Sequence, residues 1–329
     1  MNEMVQPGDW MDADDGMAPT CAVEGAVDAP VPLEGIRGSL TPNAPLAKHV
    51  WFKTGGAADW LFEPADMDDL KLFMERLGGA LPVMALGLGS NLIIRDGGIP
   101  GIVIKLGKPF AKVDFSGEFM LTCGGGASGI LVASKARDAG IAGLEFLRGI
   151  PGTVGGFVKM NGGAYNREVS DILVDCDVIL PDGNWVTLPL PDLQYSYRHS
   201  VLPDGAIVVS ARFEGTPGDP AEIGAEMDRI AKAREESQPL RTKTGGSTFK
   251  NPDPDVSGGK KAWQLVDEAG CRGLKHGGAM VSEKHTNFLI NTGDATSTEI
   301  EELGEIVRRR VYENSGVVLD WEIKRVGRP

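Results

Sequence analysis

At 329 residues, 42% of them hydrophobic, the chain is long enough for two or three domains with real cores, and its net charge of -13 argues against non-specific binding to nucleic acid. Four scattered cysteines without a CxxC pair and four histidines without ligand spacing argue against a disulfide framework and a bound metal. No apolar run approaches the ~18 residues of a membrane span and the N-terminus has no apolar secretory core, so a cytoplasmic protein is expected.

Residues 1–33 carry Glu3, Asp9, Asp12, Asp14, Asp15, Glu24 and Asp28 with no Lys or Arg, and read as a disordered acidic tail. Residues 49–59 read as a short strand running into a glycine turn, and residues 64–74 as a helix with acidic residues in its first turn. Residues 82–96 are apolar, then glycine-rich, then apolar again, with Gly87-Leu-Gly89-Ser90-Asn91 directly after a strand. Such a loop presents backbone N–H groups to a phosphate. A Rossmann site is excluded by context: Leu92 replaces the third glycine, and the strand-like Ile93 and Ile94 follow where a helix is required.

Strands are expected at 101–106 and 119–123 and a helix at 128–139. A second glycine cluster, residues 149–156, leads to Asn161-Gly162-Gly163. It is too glycine-rich for the interior of a helix or strand. A bulge-rich loop and close approach to a flat, phosphorylated cofactor both suit it. Gly87, Gly89, Ser90, Asn91, Gly152, Thr153, Gly155, Gly156, Asn161 and Gly162 are the candidate cofactor-binding residues.

Residues 171–180 and 185–188 read as a hairpin around Pro181-Asp182-Gly183-Asn184. Tyr197-Arg198-His199-Ser200 follows, its arginine either surface decoration or an anion clamp. After a strand at 206–213, residues 215–220 read as a linker. Ile223, Met227 and Ile230 then mark one face of a helix. Next come the basic Arg241-Thr242-Lys243 and the stretch Thr244-Gly-Gly-Ser247-Thr248-Phe249-Lys250-Asn251-Pro252, which packs hydroxyls, an ammonium and a carboxamide beside an aromatic. By itself this also suits a solvated turn. A short helix at 261–269 stops at Gly270. Thr296-x-x-Glu299 is a capping box that opens a helix ending near Gly316. In the final strand, 317–326, Glu322 alternates with Trp321 and Ile323. It faces either solvent or a closed pocket, where burial would raise its pKa.

Strand-rich residues 47–213 followed by a more helical part give an α+β protein of at least two domains. Five blocks in this order resemble the UDP-N-acetylenolpyruvoylglucosamine reductases: residues 87–91, residues 149–156 with Asn161, residues 197–200, residues 246–252, and Glu322. The resemblance covers residues 47–327. It implies a two-subdomain FAD-binding module of the vanillyl-alcohol-oxidase type (34–108 and 109–215), a C-terminal α+β substrate-binding domain (219–319), and a last strand (320–329) returning to the active site. The interval between Arg198 and Ser247 is too short for the extra substrate loop of one subgroup, so the chain resembles the shorter type. Lys159 stands where family members usually carry a small or apolar residue.

The resemblance further implies that NADPH reduces FAD, which then reduces an enolpyruvyl ether on a nucleotide sugar to a lactyl ether for peptidoglycan. Hydride addition builds negative charge on the substrate carboxylate, which Arg198 and a protonated Glu322 are suited to hold. Ser247 is the expected proton donor, with Lys250 as a support. Tyr197, Arg241, Lys250, Asn251, His285 and Asn287 are the expected substrate contacts, with Lys243 and Lys284 further candidates for the diphosphate. A monomer is the favoured state. Two other readings stay open: an FAD-dependent alcohol oxidase of the same fold, and a nucleotide-binding module without catalysis.

Overall fold

The structure is a computed structural model that describes residues 29–329. Residues 1–28, most of the expected acidic tail, lie outside the described residues. The remainder of that stretch is not tail-like: Val31 is buried, and Ala29 and Leu33 pack against the core it belongs to.

The first sheet has four strands, in the order Ser39–Pro45, Ala57–Glu63, Ile99–Lys105, Val83–Leu86. Helix Met67–Leu77 covers it, burying Leu70, Phe73, Met74 and Leu77, with Phe73 stacked on Phe62 at 3.9 Å. Its start follows from Asp66, whose side chain accepts from the Asp69 N–H, and its end from Gly78 in the left-handed region. One expectation fails in this part. Residues 47–49 form a 3-10 turn, so the strand comes after the glycine turn rather than before it. The first strand contains Pro42 and Pro45 and lies at the sheet edge, where a missing N–H is tolerated.

The second sheet is antiparallel and five-stranded, in the order Trp185–Pro189, Leu173–Ile179, Ile207–Glu214, Met120–Gly124, Val113–Phe115. The hairpin forms as read, with Ile179 opposite Trp185. One apolar cluster joins the two sheets: Phe62 and Ile104 of the first meet Ile179, Ile207 and Val209 of the second.

The glycine cluster is not all loop. Val154–Met160 is a seven-residue helix containing Gly155 and Gly156. Propensity is overridden by packing, because a Cβ on Gly155 would lie 3.3 Å from the carbonyls of Gly125 and Val208. The expected linker also carries structure, since Thr216–Pro217 pairs with Ile141–Ala142.

The C-terminal part packs helices Ala262–Glu268 and Ser297–Ser315 on a three-stranded sheet, Lys275–His276, Ala279–Val281 and Leu289–Asn291, whereas helix Pro220–Ser237 packs against Gly129–Asp138 and Glu145–Gly149 and adds Ile223 and Met227 to the core of the second sheet. Ile223, Met227 and Ile230 are buried as their spacing predicts. Thr296 and Glu299 form the capping box reciprocally, and Gly316 closes the helix. Its core takes in Phe52 and Ile93 from the first half of the chain, and Asn291 Nδ2 donates to the Phe52 carbonyl at 2.7 Å. Of the expected last strand only Lys324–Val326 is regular, and it pairs in parallel with Leu92–Ile94. The two halves are therefore stitched together where the polar motifs lie. Among the described residues no helix is long and apolar enough to cross a membrane.

Candidate active site

The polar turn after residue 243 is fixed by an irregular ladder. Phe249 bridges Trp321, the Lys250 N–H donates to the Asp320 carbonyl at 2.8 Å, and the Glu322 N–H donates to the Thr248 carbonyl at 2.8 Å. On its other side Ser247 bridges Phe288, and the Asn287 carboxamide clamps Phe249, accepting from its N–H at 3.0 Å and donating to its carbonyl at 2.8 Å. Gly245 is needed because Phe52 presses on it: a Cβ there would overlap the ring. Ser247 and Glu322, distant in sequence, thereby come to line one cavity of about 240 Å³.

Arg198 reaches the same cavity from the second sheet's side. It sits at φ 56° in a tight turn where the Ser196 and His199 backbones bond each other at 3.2 and 3.1 Å. A left-handed non-glycine residue is uncommon, and here the turn leaves the Arg198 side chain lining the cavity. The guanidinium donates to the carbonyls of Gly163 at 2.7 Å and Asn161 at 3.3 Å, and through Nε to Glu322 Oε1 at 3.0 Å. Glu168 lies 3.5 Å from Nη1. The Arg198 and Glu322 side chains are only 16% and 17% exposed. Burial raises the Glu322 pKa despite the opposing pull of Arg198, Lys250 and Lys324. Its carboxyl thus keeps a proton to higher pH than an ordinary glutamate, as the closed-pocket alternative required.

Tyr197, Asn251, His285 and Asn287 line the cavity as expected. Burial pushes the Tyr197 phenol up and the His285 imidazole down. His285 Nδ1 accepts from the Asn287 N–H at 3.3 Å, so the proton of the neutral ring sits on Nε2. Both ends of the Asn287 side chain are spent on Phe249, which makes it a positioning residue. Arg241 is exposed and lies outside the cavity, and Lys250 flanks Glu322 without lining it. The other proposed diphosphate cations point elsewhere: Lys243 Nζ donates to the Gly293 carbonyl and Lys284 Nζ to the Glu235 carbonyl. Lys261 and Trp263 line the cavity and were not anticipated. The available signal was a tryptophan one residue inside a short helix, where core packing does not demand it.

The two glycine loops abut. Ser90 Oγ donates to the Pro151 carbonyl at 2.8 Å, and a Cβ on Gly87 would lie 2.6 Å from Thr153 Oγ1. Gly89, at φ 60°, lets its loop settle against the His49 carbonyl. Among the described residues, the N–H groups of Leu88, Gly89 and Ser90 donate to no protein acceptor, and His49 Nε2 is buried without a partner. Gly156 is exposed with open space around it, while Gly155 faces the sheet. Gly152, at φ 147°, leads into Thr153 at the start of the short helix. Unspent N–H groups beside a glycine cradle fit a bound dinucleotide such as FAD. Asn161 and Gly162 act differently: the Asn161 carboxamide bonds Glu168, Ser196 and Ser170, and the Gly162 N–H closes the helix onto Phe157. Asn161 serves the site by holding Arg198. Asn91 joins the two regions, since its Nδ2 donates to the Glu322 carbonyl at 3.3 Å and its carbonyl accepts from the Lys324 N–H at 3.1 Å.

Residues 58–189, which hold both glycine loops, match the FAD binding domain family. Residues 238–326, which hold Ser247 and Glu322, match the family described as UDP-N-acetylenolpyruvoylglucosamine reductase, C-terminal domain. The chain is 72% identical over 325 residues to the UDP-N-acetylenolpyruvoylglucosamine reductase of Erythrobacter litoralis, covering 99% of each protein. It is 71% identical over 294 residues to that of Novosphingobium aromaticivorans, covering 89% of this chain and 97% of the relative. The crystal structure of the Thermus caldophilus enzyme superposes with a TM-score of 0.74 at 35% identity, over 88% of this chain and 98% of that one. The chain therefore belongs to the UDP-N-acetylenolpyruvoylglucosamine reductase family, FAD-dependent oxidoreductases of peptidoglycan synthesis that draw on NADPH.

Proposed function

We propose that this chain reduces UDP-N-acetylglucosamine enolpyruvate to UDP-N-acetylmuramate, with Ser247 as proton donor and Arg198 and Glu322 as the charge-stabilising pair. The observation that carries this reading is that the three residues line one cavity and that Asn91 ties Glu322 to the glycine cradle. FAD held there would supply the hydride, drawn from NADPH, for the terminal carbon of the enolpyruvyl double bond. Gly87, Gly89, Ser90, Asn91, Gly152, Thr153 and Gly156 are the residues that would hold it.

Charge that develops on the substrate carboxylate meets donors already in place. Arg198 is locked by two carbonyls and Glu322, so its fork needs no reorganisation as the reaction proceeds. Glu322 in its protonated form donates a hydrogen bond rather than repelling the substrate. Removing one such donor costs about 100- to 1,000-fold in rate. The carbon beside the carboxylate then takes the Ser247 proton, and Lys250, three residues on in the same loop, supports the alkoxide left behind. Tyr197, Asn251 and His285 offer hydrogen bonds to the sugar and nucleotide, while Asn287 positions the serine loop. The sheet of residues 39–105 and the sheet of residues 113–214 make up the FAD-binding part, and residues 219–319 the substrate part. A cytoplasmic monomer is the working state.

The test is anaerobic. NADPH should bleach the flavin of Ser247→Ala as in the wild type, and added UDP-N-acetylglucosamine enolpyruvate should restore the absorbance of the wild type alone. Equal loss of both steps in the variant would remove Ser247 from its role. Rapid reoxidation by oxygen without the nucleotide sugar would favour an oxidase.

A further inference from the structure

The hairpin behind Arg198 is built against local preference. Gly163–Ala164 pairs antiparallel with Arg167–Glu168, and the two residues between them, Tyr165 and Asn166, sit at φ 54° and 60°. This two-residue turn normally takes Asn-Gly, and a tyrosine in its first position is strained. With Asn161 at φ 42° and Arg198 at φ 56°, four of the seven left-handed non-glycine residues among the described residues gather around one guanidinium. Strain of this kind persists only where the surroundings hold it. Here the Tyr165 ring packs against Gly149, its hydroxyl donates to the Ile230 carbonyl at 3.2 Å, and the Arg229 guanidinium lies 5.6 Å from the ring centroid.

The open end of the hairpin meets Arg198 from both strands. The Gly163 carbonyl accepts from Nη2 at 2.7 Å, and Glu168, its partner across the ladder, places Oε1 3.5 Å from Nη1. A Cβ on Gly163 would lie 2.9 Å from Nη1 and from Glu168 Cγ, so only glycine leaves room for both. The second Glu168 oxygen, Oε2, accepts from Asn161 Nδ2 at 2.8 Å. The same Nδ2 donates at 3.2 Å to the carbonyl of Ser196, in the turn that carries Arg198, and the Asn161 carbonyl accepts from Nη1 at 3.3 Å. Glu168 does not line the cavity, where Glu322 faces Nε. Arg198 thus has one acidic partner inside the cavity and a second behind it.

We propose that Glu168 is the positioning residue of Arg198. It holds the guanidinium directly at Nη1 and indirectly through Asn161, so that Arg198 keeps its aim while its cavity side is turned to a substrate carboxylate. The hold itself stands on the contacts around Arg198; its consequence for turnover rests on the role proposed above for that residue.

The test uses the full chain loaded with FAD. In Glu168→Gln the limiting rate of flavin reoxidation by UDP-N-acetylglucosamine enolpyruvate should fall about tenfold or more, since a misplacement of about 1 Å can cost about 100-fold. Half-saturation for the nucleotide sugar and flavin reduction by NADPH should stay near their wild-type values. Glu168→Asp, which keeps the charge, should recover part of the rate. In an Arg198→Lys background Glu168→Gln should cost almost nothing further, because Glu168 acts through Arg198. Glu168 also caps the turn of residues 169–171, and a purely structural role would slow both half-reactions and lower flavin content and melting temperature together. That pattern, an unchanged reoxidation rate, or full additivity with Arg198→Lys would overturn the proposal. Should Glu168→Gln fail to fold, Glu168→Asp faces the same criteria with a smaller expected loss. A readout without turnover is the Arg198 Nε–H signal in a proton–nitrogen correlation spectrum, identified by its disappearance in Arg198→Lys. It should exchange faster with solvent in Glu168→Gln than in the wild type. If the nucleotide sugar fails to reoxidise even the wild-type flavin, the proposed reaction fails, and this signal still decides: faster exchange upholds the grip on Arg198, and equal exchange overturns it.

Discussion

Gly304→Ala tests how strictly packing behind the site sets the position of Glu322. Gly304 lies in helix Ser297–Ser315, and a Cβ there would overlap Cη2 and Cζ2 of Trp321. The ring must retreat by about 1 Å to reach ordinary contact. It has little freedom to do so: its Nε1 donates to Glu305 Oε1 at 2.8 Å, the Arg325 guanidinium lies 4.5 Å above it, and the Phe249 ring is 5.3 Å away. Alanine in place of glycine favours a helix by about 1 kcal/mol. Overpacking a filled site costs about 1–3 kcal/mol. The expected outcome is a net loss of about 1 kcal/mol, read as a lower urea midpoint. Trp321 precedes Glu322 and bridges Phe249, so its displacement also shifts the carboxyl and the serine loop. A misplacement of about 1 Å can cost up to about 100-fold. Flavin reoxidation by the nucleotide sugar should slow at least about tenfold, while reduction by NADPH is spared. Adding Trp321→Phe should recover part of both losses. A Gly304→Ala protein that gains the helix-propensity increment and reoxidises at the wild-type rate would refute the packing argument.

The raised Glu322 pKa has a signed consequence. Its contribution to stability is fully present below the unfolded value of about 4.3 and is lost as pH rises through the higher folded value, so wild-type stability relative to Glu322→Gln should fall with rising pH. Urea titrations of both proteins from pH 4 upward would show it, and a constant difference would contradict a buried, proton-retaining carboxyl. Asn287→Ala leaves the Phe249 N–H and carbonyl unpaired in a buried setting and should cost about 2–6 kcal/mol, at about 1–3 kcal/mol per group. Circular dichroism melts check this, and loss of activity with unchanged stability would make Asn287 a substrate contact instead of a clamp.

Local chemistry carried much of the fold from sequence. The Thr296–Glu299 box, the turn of residues 181–184 and the Ile223, Met227, Ile230 stripe each signal through neighbours a few positions apart, and each forms as read. The failures have tertiary causes. Residues 154–160 are helical despite their glycines because Gly155 packs against the sheet, and the expected linker carries a strand because Ile141–Ala142 pairs with it. Ser247, Arg198 and Glu322, the trio proposed to be catalytic, were legible as residue types in a recognisable order, and the cavity gathers all three. Asn161 and Asn287 read as ligand contacts because a carboxamide's partners are invisible in sequence; both turn out to bond the chain itself. Trp263 and Lys261 were missed for the converse reason, since a tryptophan near a helix start does not by itself distinguish a cavity wall from a solvated surface.

The bond between Asn91 and the Glu322 carbonyl spans 231 positions, and this orders events on the ribosome. Synthesis runs from the N-terminus and domains fold as units, so both glycine loops can emerge and settle while the last strand is still untranslated. A nascent or prematurely terminated chain can thus present the cofactor cradle with neither Ser247 nor Glu322 in place. Competence for the proposed reduction arrives only when the Lys324–Val326 strand slides in beside Leu92–Ile94. Until then the exposed edge of Leu92–Ile94 is a vacant template, the kind of surface that chaperones guard.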